Sequence, residues 1–211
     1  GPTLTGTERN DKLLGGLGDD TLTGGEGRDE LTGGSGKDRL LGGAGDDTIW
    51  ADADDLVIDG GAGRDKVYFG GGSGAVLDLA KASIEEVDGS AGSDIFDGSA
   101  STVALKLFGR NGDDVLLGGS GRDELTGGQG RDKLYGGAGD DVIKADGDDL
   151  VIDGGAGRDT LYFEGDRGAK IELAKASVEE VHGSSGNDVL IGTGSSAALK
   201  LYGKDGDDIL I

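Results

Sequence analysis

The chain has 211 residues, 47 of them glycine, with one proline and no cysteine or methionine. It carries 42 acidic against 20 basic side chains, a formal charge of −22. At 34% hydrophobic and 4% aromatic it lacks material for a core of ordinary thickness, and its negative field disfavours nucleic acid and anionic membrane surfaces as partners. The absence of cysteine excludes a disulfide framework. No apolar run reaches membrane-spanning length and no signal-peptide pattern is present, so no membrane insertion is expected. Glycine loses the most backbone freedom on folding. A chain this rich in it is either disordered or periodic in a way that uses the glycines.

In chain order, residues 1–5 read as a leader, with Gly1-Pro2 resembling the scar of a tag cleavage. From Gly6 the sequence divides into nonapeptides: "GTERNDKLL", "GGLGDDTLT", "GGEGRDELT", "GGSGKDRLL", "GGAGDDTIW". Position 6 is nearly always Asp and position 8 aliphatic, from Leu13, Leu22, Leu31, Leu40 and Ile49 through to Leu190 and Leu210. Six Gly-rich residues make a tight turn, and positions 7–9 make a three-residue strand with one inward side chain. One unit cannot bury that side chain alone. Two units make a coil, and stacked coils bury a thin aliphatic core.

The unit "ADADDLVID" (Ala51 to Asp59) keeps the length but loses its glycines. Residues 69–88 then lose the Gly-Asp turn. "GAVLDLAKASIEEV" (Gly74 to Val87) is expected to run strand, short turn, strand, with Leu77, Leu79, Ile84 and Val87 in the core. A helix through "LAKASIEEV" competes with that path, but continuation of the roll is preferred because it keeps both sides in register.

A longer period overlies the short one. "GGAGDDTIWADADDLVIDGGAGRDKVYF" (Gly42 to Phe69) recurs as "GGAGDDVIKADGDDLVIDGGAGRDTLYF" (Gly136 to Phe163), 94 residues further on. The expected organisation is one continuous solenoid: copy 1 over 6–108, copy 2 over 109–202, and the start of a further repeat at 203–211. Calcium-poor coils are expected near 69–88 and 163–182.

The pattern G-G-x-G-x-D-x-U-x, with U aliphatic, resembles that of the RTX (repeats-in-toxin) calcium-binding family. The resemblance implies an all-β fold, a right-handed parallel β-roll or β-solenoid with two nonapeptides per coil and about eleven coils. It also implies Ca²⁺ held between stacked turns, export from a Gram-negative bacterium by a type I system, and folding on meeting extracellular calcium.

Calcium takes six to eight oxygens in tolerant geometry, and a turn with one carboxylate and exposed carbonyls offers about half a shell. With two repeats per coil, turn n pairs with turn n+2. One side then carries Asp11, Asp29, Asp47 and Asp65, and the other Asp20 and Asp38 before the Ala51 unit. In the second copy Asp123, Asp141 and Asp159 line one side. Asp94, Asp114 and Asp132 line the other as far as the Ala145 unit, and Asp188 with Asp208 form a last pair. Backbone carbonyls are expected from Gly25, Gly27, Gly34, Gly36, Gly43, Gly45, Gly61 and Gly63, and from Gly119, Gly121, Gly128, Gly130, Gly137, Gly139, Gly155 and Gly157. Asp52, Asp54 and Asp55, and their counterparts Asp146, Asp148 and Asp149, are expected to form variant terminal sites. The count is about nine to eleven ions, enough to offset most of the −22 charge.

The expected function is a non-enzymatic calcium-binding module, disordered without Ca²⁺, that supports secretion and folding of a larger protein outside the cell. The competing reading is a rigid segment of a calcium-dependent adhesin or S-layer protein. Neither a convergent catalytic grouping nor a cleft is expected in a filled solenoid. Open edges would favour end-to-end self-association, and the sequence names no protein or glycan partner.

Overall fold

A computed structural model describes all residues, Gly1–Ile211. The chain forms two compact units, Gly1–Asp97 and Gly98–Ile211, and the fold is an all-β parallel β-solenoid.

The first unit contains β1 (Thr3–Thr5), β2 (Lys12–Leu17), β3 (Thr21–Glu26), β4 (Glu30–Ser35), β5 (Arg39–Ala44), β6 (Thr48–Ala51), β7 (Val57–Ala62), β8 (Lys66–Phe69), β9 (Val76–Asp78), α1 (Leu79–Ala82), β10 (Glu86–Asp88) and β11 (Ile95–Asp97). Odd strands β1-β3-β5-β7 form one parallel sheet and even strands β2-β4-β6-β8-β10 another, while β9 pairs with β11. Strand n pairs with strand n+2, with Leu22 opposite Leu40 and Leu31 opposite Ile49. The register follows from the 18-residue coil, because only that shift puts every position-8 side chain inside.

The second unit contains β12 (Lys106–Asn111), β13 (Val115–Leu117), β14 (Glu124–Gln129), β15 (Lys133–Ala138), β16 (Val142–Ala145), β17 (Val151–Ala156), β18 (Thr160–Phe163), β19 (Lys170–Glu172), α2 (Leu173–Ala176), β20 (Glu180–His182), β21 (Val189–Ile191), β22 (Lys200–Tyr202) and β23 (Ile209–Leu210). Its sheets run β12-β14-β16-β18-β20-β22, β13-β15-β17 and β19-β21-β23.

The position-8 residues Leu22, Leu31, Leu40, Ile49, Leu125 and Leu134 are fully buried. Leu13, Ile58 and Ile152 are half-buried and Leu210 is exposed. Ile58 and Ile152 owe this to position, since β7 and β17 each end a sheet and meet a helical turn instead of another strand.

The segments around 69–88 and 163–182 continue the coil as expected, but the short turn between their strands is wound as one helical turn, α1 and α2. Leu77, Leu79, Ile84 and Val87 are all buried. The Asp78 side chain caps α1 by accepting the Lys81 N–H, whereas Glu172 makes no such cap on α2. Ser83 and Ser177 then take left-handed backbone, φ 49° and 46°, which returns the chain to the coil.

Outside the core, position-9 side chains align across neighbouring strands. Trp50 stacks on Tyr68 at 5.7 Å. His182 lies between Tyr162 and Tyr202 at 4.5 and 4.6 Å, so it is a half-buried member of an aromatic row rather than a free surface group.

Candidate metal sites

The turns are built on glycine where no other residue fits. Gly43 has φ +114°, and a Cβ there would collide with the carbonyl of Gly25 in the stacked turn. Removing that side chain lets consecutive turns pack backbone to backbone, and their position-6 carboxylates then fall into rows.

Each row is a hydrogen-bonded ladder. In the first unit the Asp11 N–H donates to Asp29 Oδ1 at 2.8 Å, Asp29 to Asp47 at 2.7 Å, and Asp47 to Asp65 at 2.8 Å. On the opposite side the Asp20 N–H donates to Asp38 at 2.8 Å. In the second unit Leu105, Asp123 and Asp141 donate to Asp123, Asp141 and Asp159 at 2.7, 2.7 and 2.8 Å. Asp114 donates to Asp132 at 2.8 Å and Asp188 to Asp208 at 2.9 Å. The n to n+2 stacking expected from the sequence is the geometry observed.

The other carboxylate oxygen separates two kinds of turn. In Asp29, Asp38, Asp47, Asp65, Asp132, Asp141 and Asp159, Oδ2 is buried with no hydrogen-bond partner, as are both oxygens of Asp20. An ionised oxygen buried in this state costs about 1–3 kcal/mol or more unless a cation or donor meets it. Burial accordingly pushes the carboxyls of Asp65, Asp141 and Asp159 up to about 6, and also raises Asp47 and Asp132. The turns of Asp11, Asp94, Asp123 and Asp188 differ. There the same oxygen accepts the N–H of Thr7, Ser90, Gly119 or Ser184 within its own turn.

The unpartnered oxygens do not point into empty apolar space. A Cβ built on Gly24 would strike both Asp29 Oδ2 and the carbonyl oxygen of Gly42 in the next turn. Gly42 stands in the same relation to Asp47 and Gly60, and Gly136 to Asp141 and Gly154. These position-1 carbonyls were not among those expected from the sequence. The position-2 and position-4 carbonyls, such as Gly25 O and Gly27 O, instead pack against the glycines of the next turn, Gly43 and Gly45.

No group of three or more His, Asp or Glu side chains converges. A cation between turns would therefore draw on few carboxylates and complete its shell with backbone carbonyls, a donor set of hard oxygens that fits Ca²⁺. On this donor chemistry the residues present fit the ion.

The Ala51 unit ends its ladder in a shifted register. Asp55 Oδ1 accepts the Asp38 N–H at 3.0 Å, so Asp55 takes the place that strict phase gives to Leu56, which is exposed. Asp55 Oδ2 accepts the Asp52 N–H, and Asp52 Oδ1 that of Asp54. Asp149, Asp146 and Asp148 repeat these bonds, and Asp148 also pairs with Arg167. Of each trio, one member joins the ladder and the others hold the turn.

The sequence also missed the acids that close the opposite rows. Asp65 N–H donates to Glu85 Oε2 at 2.8 Å, and Asp159 N–H to Glu179 Oε2 at 2.9 Å. Outside the ladders, position-5 acids form an exposed rim: Arg64 N–H donates to Asp46, whose carboxyl is held below its ordinary value by that bond and by Arg28. The expected absence of clefts needs correction, because the second unit has surface cavities where its repeat breaks. One of about 360 Å³ is lined by Leu150, Ile152, Ile171 and Lys175 among others, and one of about 340 Å³ by Asp146, Asp148, Glu164 and Arg167 among others. The first opens beside β17, which has no following strand in its sheet, and the second lies among the turns that follow β14, β16 and β18.

Stacked Gly-Asp turns bracketing short aliphatic strands define a class of protein, the calcium-binding β-solenoids. The model of the RTX calcium-binding nonapeptide repeat matches residues 5–40, 32–67, 41–75, 108–143, 126–161, 135–168 and 178–196. These segments cover more than half of the chain, and the chain belongs to that family, whose repeats bind Ca²⁺. A comparison with curated proteins returns no match.

Proposed function

We propose that this chain is a non-enzymatic calcium-responsive module, disordered without Ca²⁺ and folded by about ten ions held between stacked turns. The observation that carries this reading is the set of buried carboxylates with one oxygen unpartnered, which in Asp29, Asp47, Asp65, Asp141 and Asp159 lies beside a carbonyl of the next turn. Cations would relieve both that desolvation and the −22 charge. The module would serve a larger protein exported by a type I system, remaining unfolded at low internal calcium and folding outside a Gram-negative cell.

Circular dichroism during a calcium titration of the chelator-treated chain tests this. The expected outcome is a cooperative gain of β-signal, and an unchanged β-signal in excess chelator overturns the proposal. The 94-residue duplication favours a second reading, a rigid segment of a calcium-dependent surface protein. Further copies of the 94-residue unit in the flanking sequence would favour that reading, and a catalytic domain there the first.

A further inference from the structure

The segments that break the repeat look like calcium-free interruptions in sequence. We infer that each is the closing half of a terminal calcium site, with Glu85 supplying the carboxylate and Ser83 the carbonyl in the first unit, and Glu179 and Ser177 in the second. The inference rests on the calcium reading above and adds residues that lie outside the nonapeptide pattern.

Register makes the case for Glu85. Glu86 lies opposite Lys66, Val87 opposite Val67 and Asp88 opposite Tyr68, which places Glu86 at position 7 of its coil. The Glu86 N–H donates to Asp65 O at 3.1 Å, just as Thr48 donates to Asp29 O and Lys66 to Asp47 O. Glu85 is therefore the position-6 residue, and its Oε2 accepts the Asp65 N–H as each Asp does in the regular rungs.

Ser83 takes the other half of the role. A Cβ on Gly42 would strike Asp47 Oδ2 and the Gly60 carbonyl, and one on Gly60 would strike Asp65 Oδ2 and the Ser83 carbonyl. The left-handed backbone of Ser83 turns that carbonyl to where a position-1 glycine carbonyl lies in the regular stack. In a regular turn these two donors are five positions apart, whereas Ser83 and Glu85 are only two positions apart. The longer side chain of Glu, one methylene beyond Asp, makes up the lost reach.

An independent observation points to a cation. Asp65 is completely buried, and its Oδ2, beside Ser83 O, has no partner. The second unit repeats every element: Asp159 is completely buried with Oδ2 unpartnered, Gly154 faces Ser177 O, and Glu179 accepts the Asp159 N–H.

The test counts calcium bound by the full chain, using equilibrium dialysis and native mass spectrometry, for the parent, Glu85→Gln, Glu179→Gln and the double variant. Gln keeps an acceptor for the Asp65 or Asp159 N–H, so folding at saturating calcium should persist, and circular dichroism checks it. Glu86→Gln is the control, because Glu86 pairs with Lys66 on the outer face at 2.6 Å. Each single variant should lose one ion, the double variant two, and the control none. Variants that bind the parental number with parental affinity overturn the inference while leaving the calcium reading intact. A parent chain that binds no calcium overturns both.

Discussion

The regular turn Gly42–Asp47 and the irregular path through Leu79–Glu86 bring the chain to the same register by different means. The first uses glycines at positive φ and a short carboxylate, and it can be repeated without limit. The second uses a helical turn, a left-handed serine and a longer acid, and it ends a sheet at β7. Both paths keep three things: an acceptor for the preceding Asp N–H, an aliphatic residue two positions later, and a carbonyl beside the buried oxygen.

Removing calcium with a chelator should have the largest effect and tests whether the regular path depends on the ion. Amide exchange of Thr21–Glu26 and Lys133–Ala138 should lose nearly all protection, because the rungs behind these strands keep unpartnered carboxylate oxygens. Retained protection would show that the stack stands without metal. Next in size are core truncations measured by chemical denaturation in calcium. Leu40→Ala, at a fully buried site between two paired strands, should cost about 2–5 kcal/mol. Leu77→Ala should cost less, since that residue retains 8% exposure and its strand β9 pairs within the unit only with β11. An equal loss would mean that the irregular path is as tightly packed as the regular one.

Within the ladders, Asp47→Ala should lower both bound calcium and stability more than Asp188→Ala. Asp47 has an unpartnered oxygen inside an unbroken row, whereas the Asp188 oxygens are held by Ala169 and Ser184. Isothermal titration of both variants decides the order, and equal losses would argue against the unpartnered oxygen as the calcium ligand. The smallest effect separates the two irregular paths from each other. Asp78→Ala removes a helix cap and should cost about 1 kcal/mol. Glu172→Ala removes no capping bond and should stay within about 0.5 kcal/mol of the parent.

Much of this was legible in the residues. The fixed phase of Asp at position 6 and an aliphatic residue at position 8 determined the 18-residue coil, its stacking order and the rows that run through Asp29 and Asp47 and through Asp123 and Asp141. Local chemistry suffices there, because each turn repeats the one before it and periodicity alone carries the register.

Where the period breaks, sequence had no index to count from. Two extra residues separate Lys66 from its partner Glu86, and only strand pairing shows that Glu85 falls opposite Asp65. The same holds for Asp55, one residue out of phase yet in line with Asp38. Which turns satisfy their own carboxylate and which leave an oxygen unpartnered was also undecided by composition, since Asp123 and Asp141 sit in nearly identical motifs. The position-2 backbone decides it: Gly25, Gly43 and Gly137 take positive φ, whereas Thr7, Ser90, Gly119 and Ser184 do not and donate their N–H to their own Asp. Thr or Ser at that position can be read in the residues, but Gly119 differs from Gly137 only through the Ser101 and Gly98 carbonyls packed against it, a contact that belongs to the tertiary structure.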